Sequence, residues 1–284
     1  MSEPGATTGT DSTTATEDGG LSALSGVTVD SEFPLRVEGL EKSFGGITAV
    51  DGVSFDIERG TMTGLIGPNG AGKSTTFNCI TGVHELDAGR VEFDGEDITG
   101  LAPHQIANRG LVRTFQIARE LSEMTVLENM MVAPKHQVGE SLWRSILKRD
   151  SVRAQEREML ERTWETLEFF DIDHLAHEYA GNLSGGQRKL LELARALQTD
   201  PKMLLLDEPF AGVNPTLEER LLDHIADLRA KGYTFLIVEH DMELIMENCE
   251  TVIVMHQGQI LTQGAPEDVR TDETVIEAYL GGEV

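Results

Sequence analysis

The chain has 284 residues, 39% of them hydrophobic, which is enough to bury a sizeable core, and no apolar run approaches the ~18–20 residues that span a bilayer. Its 49 acidic residues against 23 basic ones leave a net charge of −26 at pH 7. That balance argues against nucleic acid as a partner, because duplex binding rests on neutralising phosphates with Lys and Arg.

A surface so acidic repels itself in dilute buffer and is screened by salt, so the composition is expected of a host with a salty cytoplasm. The two cysteines, Cys79 and Cys249, are far apart and have no close-spaced Cys or His beside them. They read as reduced, buried thiols of a cytosolic protein rather than as metal ligands.

Residues 1–32 are an acidic Ser/Thr/Gly-rich stretch with few large apolar groups, expected to be a disordered tail. They show neither the basic region nor the apolar core of a secretory signal. Order is expected over 33–284. "FPLRVEGLEKSF" alternates like a strand, and "ITAVDGVSFDIERGTMTGLIG" continues as short β-like runs broken by glycine. A glycine-rich loop follows, then a helix, "KSTTFNCITG", with Gly82 as its stop. "GRVEFDG" reads as a strand and turn.

The stretch from about 117 to 185 has helical periodicity with charge between, and reads as a helical insertion. Within it Leu160, Trp164 and Leu167 fall at i, i+4 and i+7, one apolar stripe that is expected to be the insertion's own core. "NLSGGQRKLLELARAL" then sets a serine and two glycines at the mouth of a helix, where free N–H groups and the dipole favour an anion. "KMLLLDEP" and "TFLIVEHD" are short, almost wholly apolar runs, the pattern of parallel strands covered on both faces. An α/β core built on a P-loop is the expected fold.

Four places are candidates for chemistry. Gly67, Pro68, Asn69, Gly70, Ala71, Gly72, Lys73, Ser74 and Thr75 contain a full G-x-x-x-x-G-K-[ST] match, after a strand and before a helix. In such a loop successive N–H groups curl around phosphate oxygens, the lysine reaches the β- and γ-phosphates, and the Ser74 hydroxyl holds Mg²⁺. Asp207 and Glu208 sit at the tip of an apolar strand, Asp207 as an Mg²⁺ ligand and Glu208 as the group that polarises an attacking water. His240 ends the other apolar run and Gln116 stands in "VRTFQ"; neither is informative alone.

Together, the glycine loop, "VRTFQ", "LSGGQ", "LLLDEP" and "VEHD" in that order resemble the ATP-binding cassette family over residues 33–284. The resemblance implies a RecA-like P-loop domain with an antiparallel β subdomain and an inserted α-helical subdomain. It implies ATP and Mg²⁺ as ligands, Gln116 as sensor of Mg²⁺ and water, and His240 as the switch residue on the γ-phosphate. Phe44, in "KSFGG", matches the aromatic that stacks on adenine. Ser184, Gly185, Gly186 and Gln187 would serve ATP held by a second ATPase subunit, packed head to tail as a homo- or heterodimer. "FAGVNP" would cross to that partner, with Asn214 where many members have Asp. "FGGITAVDGVSF", "IARELSEMTVLENMMVA" and "IEAYLGG" look like ATPases of branched-chain amino acid importers, the longer of the two subunits. Urea or amide importers and lipopolysaccharide-type exporters are similar. Such a subunit works at the cytoplasmic face of the membrane on permease subunits, with residues 117–135 as their groove and an extracytoplasmic binding protein engaged indirectly.

Overall fold

The computed structural model describes residues 31–114, 121–133 and 149–280. Strand alternation in "LRVEGLEKSF" becomes β1 (Leu35–Phe44), which turns back as β2 (Ile47–Ile57). The turn between them is Gly45–Gly46, at φ 55° and 90°, a two-residue hairpin loop that needs positive φ at both positions. The chain then leaves this hairpin as β3 (Met62–Ile66) and returns to it as β4 (Ala88–Phe93), with the two-residue β5 (Glu96–Asp97) at the edge. The result is an antiparallel sheet in the order β2-β1-β4-β5.

The second sheet carries the buried runs. It also contains β6 (Leu111–Arg113), β7 (Met203–Asp207), β8 (Thr234–Val238), β9 (Thr251–His256) and β10 (Gln259–Gly264), in the order β10-β9-β3-β8-β7-β6. All neighbours are parallel except the β9–β10 hairpin at one edge. Alternate side chains feed two cores: Leu204 and Leu206 face one side, Met203 and Leu205 the other. Both faces of β3, β7, β8 and β9 are buried, which is why these strands lack polar alternation, whereas the edge strand β10 is partly exposed and carries Gln259, Thr262 and Gln263.

On one face lie the antiparallel sheet, α1 (Lys73–Ile80) and α2 (Pro103–Arg109). Gly82, at φ 71°, closes α1 as its sequence position implied, donating its N–H to the Cys79 carbonyl. On the other face lie α3 (Val126–Val132), α4 (Arg149–Phe169), α5 (Gly185–Leu197), α6 (Pro215–Ala230), α7 (Met242–Asn248), α8 (Pro266–Arg270) and α9 (Glu273–Leu280).

The expected stripe on α4 needs correction. Leu167 is fully buried and the half-buried Trp164 packs against the same core, but Leu160 is 38% exposed. The buried face is Thr163, Thr166 and Leu167, continued by Phe170 just past the helix end. Two threonines belong to it because their hydroxyls are satisfied there: Thr166 donates to the Arg162 carbonyl and accepts from Gln198 Nε2, and Thr163 reaches the Met131 sulfur. A count of apolar residues alone places the stripe about one residue position off. Cys79 and Cys249 are both buried free thiols, as expected, and burial pushes their pKa values up to about 11 and about 12.

Candidate functional site

Parallel register gathers the chemistry at one edge. Leu65 of β3 and Asp207 of β7 both lie beside Val238 of β8, and Leu205 of β7 lies beside Arg113 of β6. The loop after β3, the carboxylates after β7, His240 after β8 and Arg113 therefore emerge together at the carboxyl ends of the strands, the ligand edge of an open α/β sheet.

Gly67, Gly70 and Gly72 hold φ of 152°, 81° and 105°, which lets the loop curl back on itself. α1 has Gly72 as its N-cap, with no side-chain cap and no acidic residue in its first turn, so no capping side chain satisfies its leading N–H groups. Lys73 Nζ donates to the Gly67 and Pro68 carbonyls at 2.6 and 3.2 Å. Burial pulls the Lys73 pKa down, and the nearby Glu208 and Asp207 carboxylates act against that. Ser74 is exposed at the loop's end. Uncapped amides, a buried cation, a hydroxyl and two carboxylates together fit a magnesium-bound nucleotide. Among the described residues no cluster of three His, Cys, Asp or Glu could hold a metal by itself. Mg²⁺ commonly combines one or two protein ligands with phosphate oxygens and so needs no such cluster.

Asp207 Oδ2 accepts from Arg113 Nη2 at 2.5 Å, and Arg113 Nη1 donates to Asn78 Oδ1 of α1 at 2.6 Å. Glu208 is exposed, yet its backbone is locked in the left-handed region at φ 49°. Its N–H donates to the Val238 carbonyl at 2.9 Å, and its carbonyl accepts from Lys189 Nζ of α5 at 3.0 Å. Glu239, 1% exposed, accepts from the Phe210 N–H at 3.0 Å and from the His240 N–H at 3.2 Å. Burial pushes its pKa up, while those two N–H bonds favour its charged form. The His240 ring is 64% exposed with Nδ1 3.4 Å from the same carboxylate.

Six expected site residues are not joined to this edge by any hydrogen bond among the described residues. Phe44 is 45% exposed at the end of β1, edge-on to His84 with ring centroids 5.2 Å apart, so it is not a core residue. Ser184 caps α5 in a reciprocal box: its hydroxyl accepts from the Gln187 N–H, and Gln187 Oε1 accepts from the Ser184 N–H. Gly185 is open, whereas Gly186 is buried against Leu217 of α6. Among the described residues no hydrogen bond joins Ser184–Gln187 to the Gly67–Thr75 loop. Gln116 lies outside the described residues, as does part of the 117–135 stretch. Arg113, Lys189 and Glu239 were missed by motif reading; the signal for Glu239 was a charged residue directly after the apolar run Phe235–Val238.

A family model described as ABC transporter matches residues 50–211, and one described as branched-chain amino acid ATP-binding cassette transporter matches 259–284. The probable branched-chain amino acid transport ATP-binding protein LivG of Archaeoglobus fulgidus is 43% identical over 249 residues, 88% of this chain and 96% of that protein. The high-affinity branched-chain amino acid transport ATP-binding protein BraF of Pseudomonas aeruginosa is 43% identical over 248 residues, 87% and 97% of the two. A nucleotide-free ATP-binding cassette from an ABC transporter superposes with a TM-score of 0.76 at 43% identity, covering 87% of this chain and 98% of that one. An ATP-binding cassette in its ADP conformation also gives 0.76, at 42% identity, covering 88% and 100%.

Proposed function

The chain belongs to the ABC transporter family, and from that premise we propose that it hydrolyses ATP to drive import of branched-chain amino acids. The observation that carries the reading is the gathering of Lys73, Asp207 and Glu208 at the carboxyl edge of the parallel sheet, Lys73 on the helix after β3 and the carboxylates at the end of β7 with β8 between, beside an uncapped helix N-terminus. The cargo rests on the relatives' transport role and on the C-terminal match, since the pocket for an amino acid would belong to other subunits.

Phosphoryl transfer depends on positioning and on stabilising charge. The loop amides of Gly70, Ala71, Gly72, Lys73, Ser74 and Thr75 bind phosphate oxygens, and Lys73 turns from its loop carbonyls to the β- and γ-phosphates. Ser74 and Asp207 would hold Mg²⁺, which neutralises charge on the phosphates, with Arg113 fixing the Asp207 carboxylate. Glu208 orients the attacking water, Gln116 senses it, and His240 meets the γ-phosphate. Phe44 offers its exposed ring to adenine. Ser184, Gly185, Gly186 and Gln187 close on the nucleotide of a second cassette, homologous or identical, so that each chain holds two incomplete sites.

As the ATP-binding subunit of a transporter, the chain works with membrane permeases, and no described helix is long and apolar enough to cross the membrane itself. We place it on the cytoplasmic face, with residues 33–284 as the cassette, about 117–185 as its helical subdomain, 117–135 as the permease groove and 1–32 as a tail. An extracytoplasmic binding protein would deliver the cargo. Glu208→Gln should keep ATP affinity, lower turnover by about 10²–10⁴-fold and accumulate a closed ATP-bound dimer. Ordinary turnover in that variant removes Glu208 from its role. Purification with permeases, and leucine uptake by vesicles carrying the assembly, tests the cargo.

A further inference from the structure

We propose that Lys189 is a positioning residue: it ties the serine–glycine helix to the Glu208 turn of its own chain, so that engagement of that helix by a second cassette is felt at the hydrolytic carboxylate. The inference rests on the composite-site reading above.

Glu208 sits in a turn that its own conformation does not favour, at φ 49° with a side chain attached. Such a backbone persists only when its surroundings hold it, so what touches the turn decides where the carboxylate points. The sheet holds one side through the Glu208 N–H to the Val238 carbonyl, 2.9 Å. Glu239 holds the far end through the Phe210 N–H, 3.0 Å. Both restraints come from the end of β8 and report nothing about any other chain.

The Glu208 carbonyl is different. It accepts from the Ala211 N–H within the turn, 3.2 Å, and from Lys189 Nζ, 3.0 Å. Lys189 lies one turn into α5, on the same helix whose first residues are Ser184, Gly185 and Gly186. Between this helix and the 211–212 segment is a cavity of about 540 Å³, lined by Gly185, Lys189, Glu192, Ala211 and Gly212. Helix and turn are therefore not packed together at this point; a long side chain bridges a space. A lysine suits that role, since its flexible stem and three donors can follow a carbonyl through small displacements. Movement of α5 that lengthens or shortens this bridge pulls on the main-chain carbonyl of the residue that carries the carboxylate.

The test uses Lys189→Met and Lys189→Arg in the assembled transporter. Lys189→Met should lower kcat by about 10- to 100-fold, the scale of a misplaced catalytic group, with KM for ATP, nucleotide Kd and Tm unchanged. Lys189→Arg, which keeps a donor at similar reach, should recover most of the rate. In a Glu208→Gln background, Lys189→Met should still form the ATP-bound dimer. Wild-type kcat in Lys189→Met overturns the proposal, as does a loss of nucleotide affinity or Tm that parallels the loss of rate, which marks a merely structural lysine. Ser184→Arg separates the two layers. If it blocks ATP-dependent dimer closure while Lys189→Met turns over normally, only the Lys189 link fails. If Ser184→Arg closes and turns over normally, the composite-site reading fails and the link falls with it.

Discussion

Gly72 shows how a single residue is held to one choice. Its φ of 105° is open to glycine, and a Cβ there would lie 2.5 Å from the Ala49 carbonyl oxygen, so strain and collision coincide. Gly72→Ala should destabilise the fold by about 1–3 kcal/mol and weaken nucleotide binding with it, measured by urea unfolding and by titration calorimetry. Stability and affinity both equal to wild type would mean that the loop relaxes freely. Gly70 offers a control, since nothing lies within 4 Å of its added Cβ and only its φ of 81° opposes substitution. The cations divide along the same line of local against distant cause. Lys73 is readable from its motif because loop and helix are continuous in sequence. Arg113 stands within "VRTFQ", but nothing in that run points to its contact with Asp207, which appears only once β6 lies beside β7.

Among the elements, α5 was the most legible and α4 the least. In α5 Ser184 and Gln187 form the S-x-x-Q capping box, and Leu190, Leu193, Ala194 and Leu197 follow at helical spacing to make its buried face. Local propensity, cap and periodicity agree, so helix and face are both evident. In α4 the buried set includes Thr163 and Thr166, which no hydrophobic pattern selects; their burial depends on Gln198 and Met131 from other elements. Leu197, fully buried at the end of α5, anchors that helix on the sheet. Leu197→Ala should cost about 2–5 kcal/mol in urea unfolding while leaving nucleotide affinity unchanged. A loss below ~1 kcal/mol would show that the site collapses around the smaller side chain.

At the scale of the whole molecule, the net charge of −26 works against compactness. Surface pairs such as Arg90–Asp97 and Arg109–Glu96 are exposed and contribute at most about 1 kcal/mol each, also weakened by salt. Screening relieves repulsion across the entire surface but removes only a few such pairs, so relief should win. The melting temperature is expected to rise between dilute buffer and molar KCl, where the Debye length is about 3 Å. A flat or falling melting temperature would end the reading of a salt-adapted surface.

The sequence by itself determined the parts whose cause is local. The glycine loop needs positive φ at stated positions, the α5 cap needs Ser and Gln three apart, and strands buried on both faces must be apolar throughout. Each of these is written in consecutive residues, and the fold class follows from them. Tertiary structure alone decided what stands behind those residues. Arg113 meets Asp207 across 94 positions, Glu239 meets Phe210 across 29, and Lys189 meets Glu208 across 19. Those contacts exist because parallel strand register and the packing of α5 bring separate carboxyl-end loops together, and register is a property of the assembled sheet.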